Sequence, residues 1–165
     1  GGGERRRGGG STDTIACFAG KGSAEISAEG GGRDSWACVV LGDLHLNPGE
    51  MTPFYKARDE IKALLDTQCG DVPDDRKFLV SLGDLGAYGI AGTTESFENA
   101  KNYLEGYGLP KRNMRIVTGN HDLEGMEEFK TDEENFQAWR NAFDVDGEQG
   151  QFVAEIPGTK CVLLG

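Results

Sequence analysis

The chain has only two histidines, His45 and His121, among its 165 residues. It has no apolar run of the roughly 18 to 20 residues that a membrane-spanning helix needs, so we predict no membrane partner. It also has no C-x-x-C pair and too few cysteines for a disulfide framework. We therefore expect free thiols and an intracellular protein, and the sequence does not identify the compartment within the cell.

Basic residues are also scarce, because 17 Lys and Arg stand against 28 Asp and Glu and give a formal net charge of -11. The first 34 residues hold five side chains of each sign, so the whole excess lies in residues 35–165. A negative field of this size disfavours binding to nucleic acid and to anionic membrane surfaces. It is compatible with carboxylates that gather around divalent cations.

Residues 1–34 differ in composition from the rest, since they hold 11 of the 26 glycines and few large apolar side chains. Ordering such a segment costs more chain entropy than its burial returns. We therefore predict a disordered Gly-rich tail or linker over 1–34, followed by one domain over 35–165. The chain begins with Gly1 and not with Met, so we expect that this is not the natural start.

From Trp36 onward, continuous apolar runs alternate with segments whose apolar residues recur at helical spacing. The first pattern is typical of strands buried on both faces, and the second of helices with one buried face. The alternation predicts an α/β domain with a largely parallel sheet. The predicted strands are 36–41, 77–82, 115–118 and 159–165. The predicted helices are 51–66, 95–108 and 131–143.

Glycine and then metal- or proton-binding side chains follow each of the first three predicted strands. In open parallel sheets, ligands bind at the carboxyl ends of the strands, so we expect these side chains to share one site. Each motif alone is common in turns and caps, whereas the occurrence of all three in this order predicts a functional site. The side chains are Asp43, His45, Asp84, Asn120, His121 and Asp122.

These side chains together predict a site for two divalent ions. Their mixture of oxygen and nitrogen donors favours Mn, Fe or Zn over Ca or Mg. Asp43 and His45 would bind one ion, and Asp84 has two oxygens with which to bridge two ions about 3.5–4 Å apart. Asn120 would give a neutral oxygen to the second ion. His121 would stay unligated and stabilise phosphoryl charge or protonate the leaving oxygen.

The motifs DLH (43–45), GD (83–84) and GNHD (119–122) together resemble the signature of the calcineurin-like metallophosphoesterase superfamily. The resemblance spans roughly residues 36–165. It implies a four-layer αββα fold with a dinuclear metal centre, which hydrolyses a phosphorylated small molecule or a phosphodiester. The same match implies that the metal ligands are Asp43, His45, Asp84 and Asn120, and that His121 is the catalytic residue.

The sequence leaves two roles open for Asp122, which could orient the residues of the site or cap a helix. It also opens an acidic segment, 122–134, which carries seven carboxylates and is interpreted as a solvated face.

The sequence departs from the family pattern in two ways. Asp84 is followed by Leu85, Gly86 and Ala87, without the second acid and the arginine of the Ser/Thr protein phosphatase branch, so we expect another branch. The later histidines of the family are also absent from these 165 residues. We therefore expect the amino-terminal half of a domain, truncated and weak or inactive alone. The alternative is a non-catalytic binding or scaffold domain that keeps the fold.

Overall fold

The computed structural model describes residues 15–21, 35–125, 127–144, 153–155 and 162–164. A four-stranded sheet has the order β1-β2-β3-β4, and a separate two-stranded sheet pairs β5 with β6. The strands are β1 (Ile15–Lys21), β2 (Ser35–Leu41), β3 (Lys77–Ser81), β4 (Met114–Ile116), β5 (Val153–Glu155) and β6 (Val162–Leu164). The helices are α1 (Thr52–Gln68), α2 (Thr94–Glu105) and α3 (Asp132–Phe143).

The strands β2, β3 and β4 are parallel, and Leu79 on the middle strand pairs with Val39 on one side and Met114 on the other. Parallel strands need a crossover connection, and here α1 connects β2 to β3 while α2 connects β3 to β4. The predicted α/β fold with a parallel sheet is therefore confirmed. All three strands point their carboxyl ends at the same edge of the sheet, which is where the sequence predicts the site.

Side-chain caps define where two of the helices begin. Thr93 accepts a hydrogen bond from the Ser96 N–H at the start of α2, and Thr131 accepts one from the Glu134 N–H at the start of α3. Each cap satisfies one backbone donor that has no partner inside the helix. The helix that the sequence predicts over 131–143 therefore begins at its cap, Thr131.

The main core lies between one face of the sheet and the helices. Val39 and Leu79 from the sheet are fully buried, as is Trp139 from α3. The Trp139 ring stacks on Phe136 with 5.7 Å between ring centroids and an angle of 10° between the ring planes. Helix α3 packs against α2 and against the turn His121–Leu123, so polar residues on α3 can reach the loops at the sheet edge.

Strand β1 differs from the sequence prediction, which assigned this segment to the tail. It pairs antiparallel with β2, with Phe18 opposite Cys38. The predicted disorder rests on the average composition of residues 1–34. Within that range, residues 15–21 contain a single glycine. Because each glycine adds chain entropy only at its own position, the glycines outside this segment do not prevent it from forming a strand. The remaining parts of the predicted tail, 1–14 and 22–34, lie outside the described residues.

The predicted fourth strand also differs in its partner. Within 159–165 the structure describes Val162–Leu164 as β6, and it pairs antiparallel with β5 and not with the parallel sheet. Only residues 156–161 separate the two strands, which is too short for a parallel crossover. An apolar run predicts a strand but does not specify its partner.

No helix in the described part of the chain is long and apolar enough to cross a membrane.

Candidate metal centre

The three strand ends bring Asp43, His45 and Asp84 together. Each of these residues offers one ligand atom, and the three atoms lie within 4.8 Å of one another. Asp43 is exposed, while His45 and Asp84 are half-buried. Such a group is accessible from solvent and close enough to contact a common ion.

All three residues have left-handed backbone conformations, with φ of 48° at Asp43, 43° at His45 and 50° at Asp84. Among the described non-glycine residues, only Asp144 shares this conformation. The left-handed region costs an L-residue about 1–2 kcal/mol. Strained backbone of this kind concentrates at functional sites.

Hydrogen bonds between the two loops hold this strained backbone in place. The His45 N–H donates to the Asp84 carbonyl at 2.9 Å, and the Leu46 N–H donates to the Leu85 carbonyl at 2.8 Å. The Ala87 N–H donates back to the Leu46 carbonyl at 3.0 Å. The loops after β2 and β3 therefore form one paired unit that fixes His45 relative to Asp84.

Two glycines allow the ends of β3 and β4 to approach closely. Gly83 has a φ of 90°, and a Cβ built on it would lie 2.6 Å from the Gly119 Cα. A Cβ on Gly119 would lie 2.6 Å from the carboxyl carbon of Asp84. The glycines that follow the strands in the sequence motifs thus permit close backbone-to-backbone contact.

Asp122 is fully buried beneath these loops. Its carboxylate accepts hydrogen bonds from the N–H groups of Asp84, Leu85 and Gly119, each at 2.9 Å. Burial raises the pKa of Asp122, and the three backbone donors oppose that shift. The cap of the 3-10 turn His121–Leu123 is Asn120, so the contacts of Asp122 fit the orienting interpretation better than the capping one.

His45 presents one nitrogen to the site. Its Nδ1 lies 3.3 Å from the Gly86 carbonyl, and a carbonyl oxygen can only accept. Nδ1 therefore carries the proton, which leaves the lone pair on Nε2 for a metal ion. A backbone carbonyl commonly orients metal-binding histidines in this way.

His121 lies beside this group of three, and Asn120 precedes it in the chain. The His121 N–H donates to Asp84 Oδ1 at 2.9 Å, and the His121 ring lies 5.4 Å from the His45 ring. Asn120 is exposed, and its side chain makes no capping hydrogen bond. The structure thus brings His121 against both Asp84 and His45, and it places Asn120 at the adjoining position of the chain.

The sequence pattern does not single out Glu124, which lies in the acidic segment interpreted as a solvated face. Glu124 Oε2 lies 2.7 Å from His121 Nδ1. This hydrogen bond is the main cause that raises the pKa of His121 above its usual value, and the charges of Glu124, Asp84 and Asp122 add to it. The spacing of three residues within a helical turn is the signal that could have identified the pair.

The sequence pattern also does not single out Asn135, because the helix predicted over 131–143 rests on the spacing of apolar residues. Its side chain is almost fully buried. Oδ1 accepts from the Gly125 N–H at 2.9 Å, and Nδ2 donates to the Gly92 carbonyl at 2.7 Å. Asn135 therefore ties the loop after β3 to the loop after β4.

The donor set fits a divalent transition ion. Two carboxylates and one imidazole provide the mixed oxygen and nitrogen ligation that Mn, Fe and Zn accept. Asp84 Oδ1 accepts one hydrogen bond, so the carboxylate retains lone pairs on both oxygens. The fit is strongest for the ion that Asp43, His45 and Asp84 would share.

Residues 38–161 match the family model of calcineurin-like phosphoesterases. No curated protein and no solved structure matches the chain. The matched residues include all three strand-end motifs and cover most of the chain. They are also the segment in which the ligand atoms of Asp43, His45 and Asp84 converge. The chain therefore belongs to the calcineurin-like phosphoesterase family.

Proposed function

We propose that this chain hydrolyses phosphoesters with the help of a dinuclear metal centre, in a branch other than the Ser/Thr protein phosphatases. The observation that carries the proposal is the convergence of the ligand atoms of Asp43, His45 and Asp84 within 4.8 Å. Membership of a family of phosphoesterases supports the reaction class.

In this proposal Asp43, His45 and Asp84 would hold the first ion. Asp84 and the amide oxygen of Asn120 would hold the second. When bound, the ions supply Lewis acidity toward the phosphoryl oxygens. Mn, Fe and Zn are the proposed metals.

His121 acts as the catalytic residue in this scheme. Its Nδ1 is occupied by Glu124, so Nε2 is the atom that holds or releases a proton at the leaving oxygen. The hydrogen bond from its backbone N–H to Asp84 fixes its distance from the metal ligands.

The net charge of the chain bears on the substrate. The net charge of -11 opposes binding to a nucleic acid or an anionic membrane, since both carry many negative charges. We therefore propose a phosphorylated small molecule or a phosphodiester as the substrate.

The number of available ligands bears on the affinity for each metal ion and on the rate of hydrolysis. Both histidines of the chain are already assigned, which leaves Asn120 and one oxygen of Asp84 for the second ion. We expect the first ion to bind more tightly than the second, and hydrolysis by this chain alone to be weak.

The test measures metal stoichiometry and hydrolysis on the same samples. Native mass spectrometry after loading with Mn²⁺ or Zn²⁺ counts the ions, and p-nitrophenyl phosphate and bis(p-nitrophenyl) phosphate report the two activities. Asp84→Asn is expected to reduce hydrolysis by more than about 100-fold, the upper end of the loss seen for residues outside the metal ligand shell. Asp71→Asn changes an exposed carboxylate in another loop and is the matched control.

Three results would decide between the candidates. Hydrolysis that requires metal and Asp84 supports the phosphoesterase. Metal binding without any hydrolysis supports the alternative, a binding or scaffold domain that retains the fold. Hydrolysis that survives Asp84→Asn contradicts the proposed centre.

A further inference from the structure

We propose that Glu124 is a positioning residue that fixes the orientation and tautomer of the His121 imidazole. The proposal rests on the proposed function, in which His121 is the catalytic residue. It assigns a role to an acid that the sequence pattern alone places on a solvated face.

The contact itself determines where the proton of the ring resides. Glu124 Oε2 lies 2.7 Å from His121 Nδ1, which is at the short end for a nitrogen–oxygen hydrogen bond. A carboxylate has only acceptor atoms, so the hydrogen must be on Nδ1. In the neutral ring this leaves the lone pair on Nε2, the nitrogen that Glu124 does not contact.

Glu124 is anchored more firmly than its exposure suggests. Its side chain is 49% exposed, but its N–H donates to the His121 carbonyl at 3.2 Å. The next residue, Gly125, donates to the buried Asn135. A Cβ built on Gly92 would lie 2.7 Å from the Glu124 nitrogen, so the neighbouring loop packs directly on this backbone.

His121 is restrained from its other sides as well. Its backbone N–H is bound to Asp84, and its ring meets the ring of His45 edge-on, with 67° between the planes. An imidazole held at Nδ1 by Glu124 and flanked by His45 has little freedom to rotate about its side-chain torsions. Glu124 thus acts on the site through His121 and does not need to touch the substrate.

The first test reads the tautomer in the metal-free full chain, labelled with ¹⁵N at histidine. Long-range ¹H–¹⁵N correlation spectra are recorded at a pH where the ring is neutral. We expect wild-type His121 to carry its proton on Nδ1, and Glu124→Ala to move the population toward the Nε2–H form. Glu124→Gln retains an acceptor oxygen and is expected to preserve the wild-type form.

The matched control is Glu127, an exposed acid in the same loop. Glu127→Ala removes the same charge and is expected to leave the His121 spectrum unchanged. A wild-type tautomer in Glu124→Ala would overturn the proposal. Far-UV circular dichroism on each variant confirms that the fold is retained.

The second test separates positioning from metal binding. With Mn²⁺ and p-nitrophenyl phosphate, we expect Glu124→Ala to lower kcat by about 10- to 100-fold, the loss typical of residues that orient the groups of a metal site. The KM and the number of bound ions should not change. Glu124→Gln should recover part of kcat, whereas an unchanged kcat in Glu124→Ala would contradict the proposal.

The two tests also distinguish failure of this inference from failure of the proposed function. Absence of metal-dependent hydrolysis in the wild-type chain would refute the function. The tautomer of His121 would still be measured in the metal-free chain, and a ring insensitive to Glu124→Ala would refute the inference.

Discussion

The carboxylate of Asp122 accepts a hydrogen bond from the backbone N–H of Asp84 at 2.9 Å, although 38 residues separate the two in the chain. The same carboxylate binds the N–H groups of Leu85 and Gly119. One fully buried side chain therefore fixes the backbone on both sides of the β3–β4 contact. The position of Asp84 depends on a residue that is itself too deep to meet a ligand.

Asp122→Ala should destabilise the protein strongly, because three backbone donors lose their acceptor in a buried site. A buried donor without a partner costs about 1–3 kcal/mol, so we expect a total loss of about 3–5 kcal/mol after partial relaxation. Urea unfolding followed by circular dichroism measures the loss. Asp71→Ala, at an exposed position, should change the free energy of unfolding by no more than about 0.5 kcal/mol. A similar effect of both variants would refute this account.

Gly83→Ala and Gly89→Ala form a matched pair that separates backbone strain from close packing. Both glycines have positive φ, 90° and 101°, so both substitutions incur about 1 kcal/mol of conformational strain. A Cβ on Gly89 meets no atom within 4 Å, whereas a Cβ on Gly83 overlaps the backbone at Gly119. We expect Gly83→Ala to cost about 1–3 kcal/mol more than Gly89→Ala, which is the usual cost of overpacking. Equal losses in urea unfolding would show that the strand ends can separate freely.

Asn135→Ala should loosen the loops that carry Gly92 and Gly125. The substitution leaves one buried N–H and one buried carbonyl without partners, with an expected loss of about 2–4 kcal/mol in the free energy of unfolding. Asn102→Ala, on the exposed side of α2, should have little effect. Hydrogen exchange gives a local measurement, because faster exchange of the Gly125 amide in Asn135→Ala is expected even under native conditions.

The sequence predicted the main features of the fold for identifiable reasons. The apolar runs that form β2 and β3 are buried on both faces, and this pattern is typical of the central strands of a parallel sheet. Since such strands must share a direction, the grouping of Asp43, His45 and Asp84 at one edge followed from their positions after the strands.

The sequence could not predict the features that depend on partners distant in the chain. The edge pairing of β1, the antiparallel partner of β6 and the two hydrogen bonds of Asn135 all have no local signature. The pairing of Glu124 with His121 does have a local spacing, but an acidic segment is usually solvated, and only the geometry of the turn distinguishes this acid from its neighbours.

The stability of the metal-free protein should depend on pH through His121. Its pKa is raised above the unfolded value of about 6.5, chiefly by the hydrogen bond to Glu124. A raised histidine pKa contributes stability that is fully present below pH of about 6.5 and is lost as pH rises through the folded pKa. Below a pH of about 6.5, wild type should therefore have a larger free energy of unfolding than Glu124→Gln. This difference should decrease as the pH rises through the folded pKa of His121, and it should be constant at higher pH.

An NMR titration of the two histidines checks this directly. The His121 ring should titrate at a higher pH in wild type than in Glu124→Gln, while Glu127→Gln should leave its pKa close to that of wild type. A His121 pKa that is identical in wild type and Glu124→Gln would mean that the contact does not persist in solution.

Divalent metal should stabilise the folded chain, and the effect should require the three converging side chains. A ligand that binds only the folded state adds about 2.7 kcal/mol at 100 times its dissociation constant, which is measurable as a rise in Tm with Mn²⁺ or Zn²⁺. We expect Asp43→Asn and His45→Ala to abolish most of that rise, because each removes one of the three ligand atoms that lie within 4.8 Å of one another. Asp71→Asn should keep it, and EDTA should reverse it. A full metal-dependent rise in His45→Ala would place the ion elsewhere in the protein.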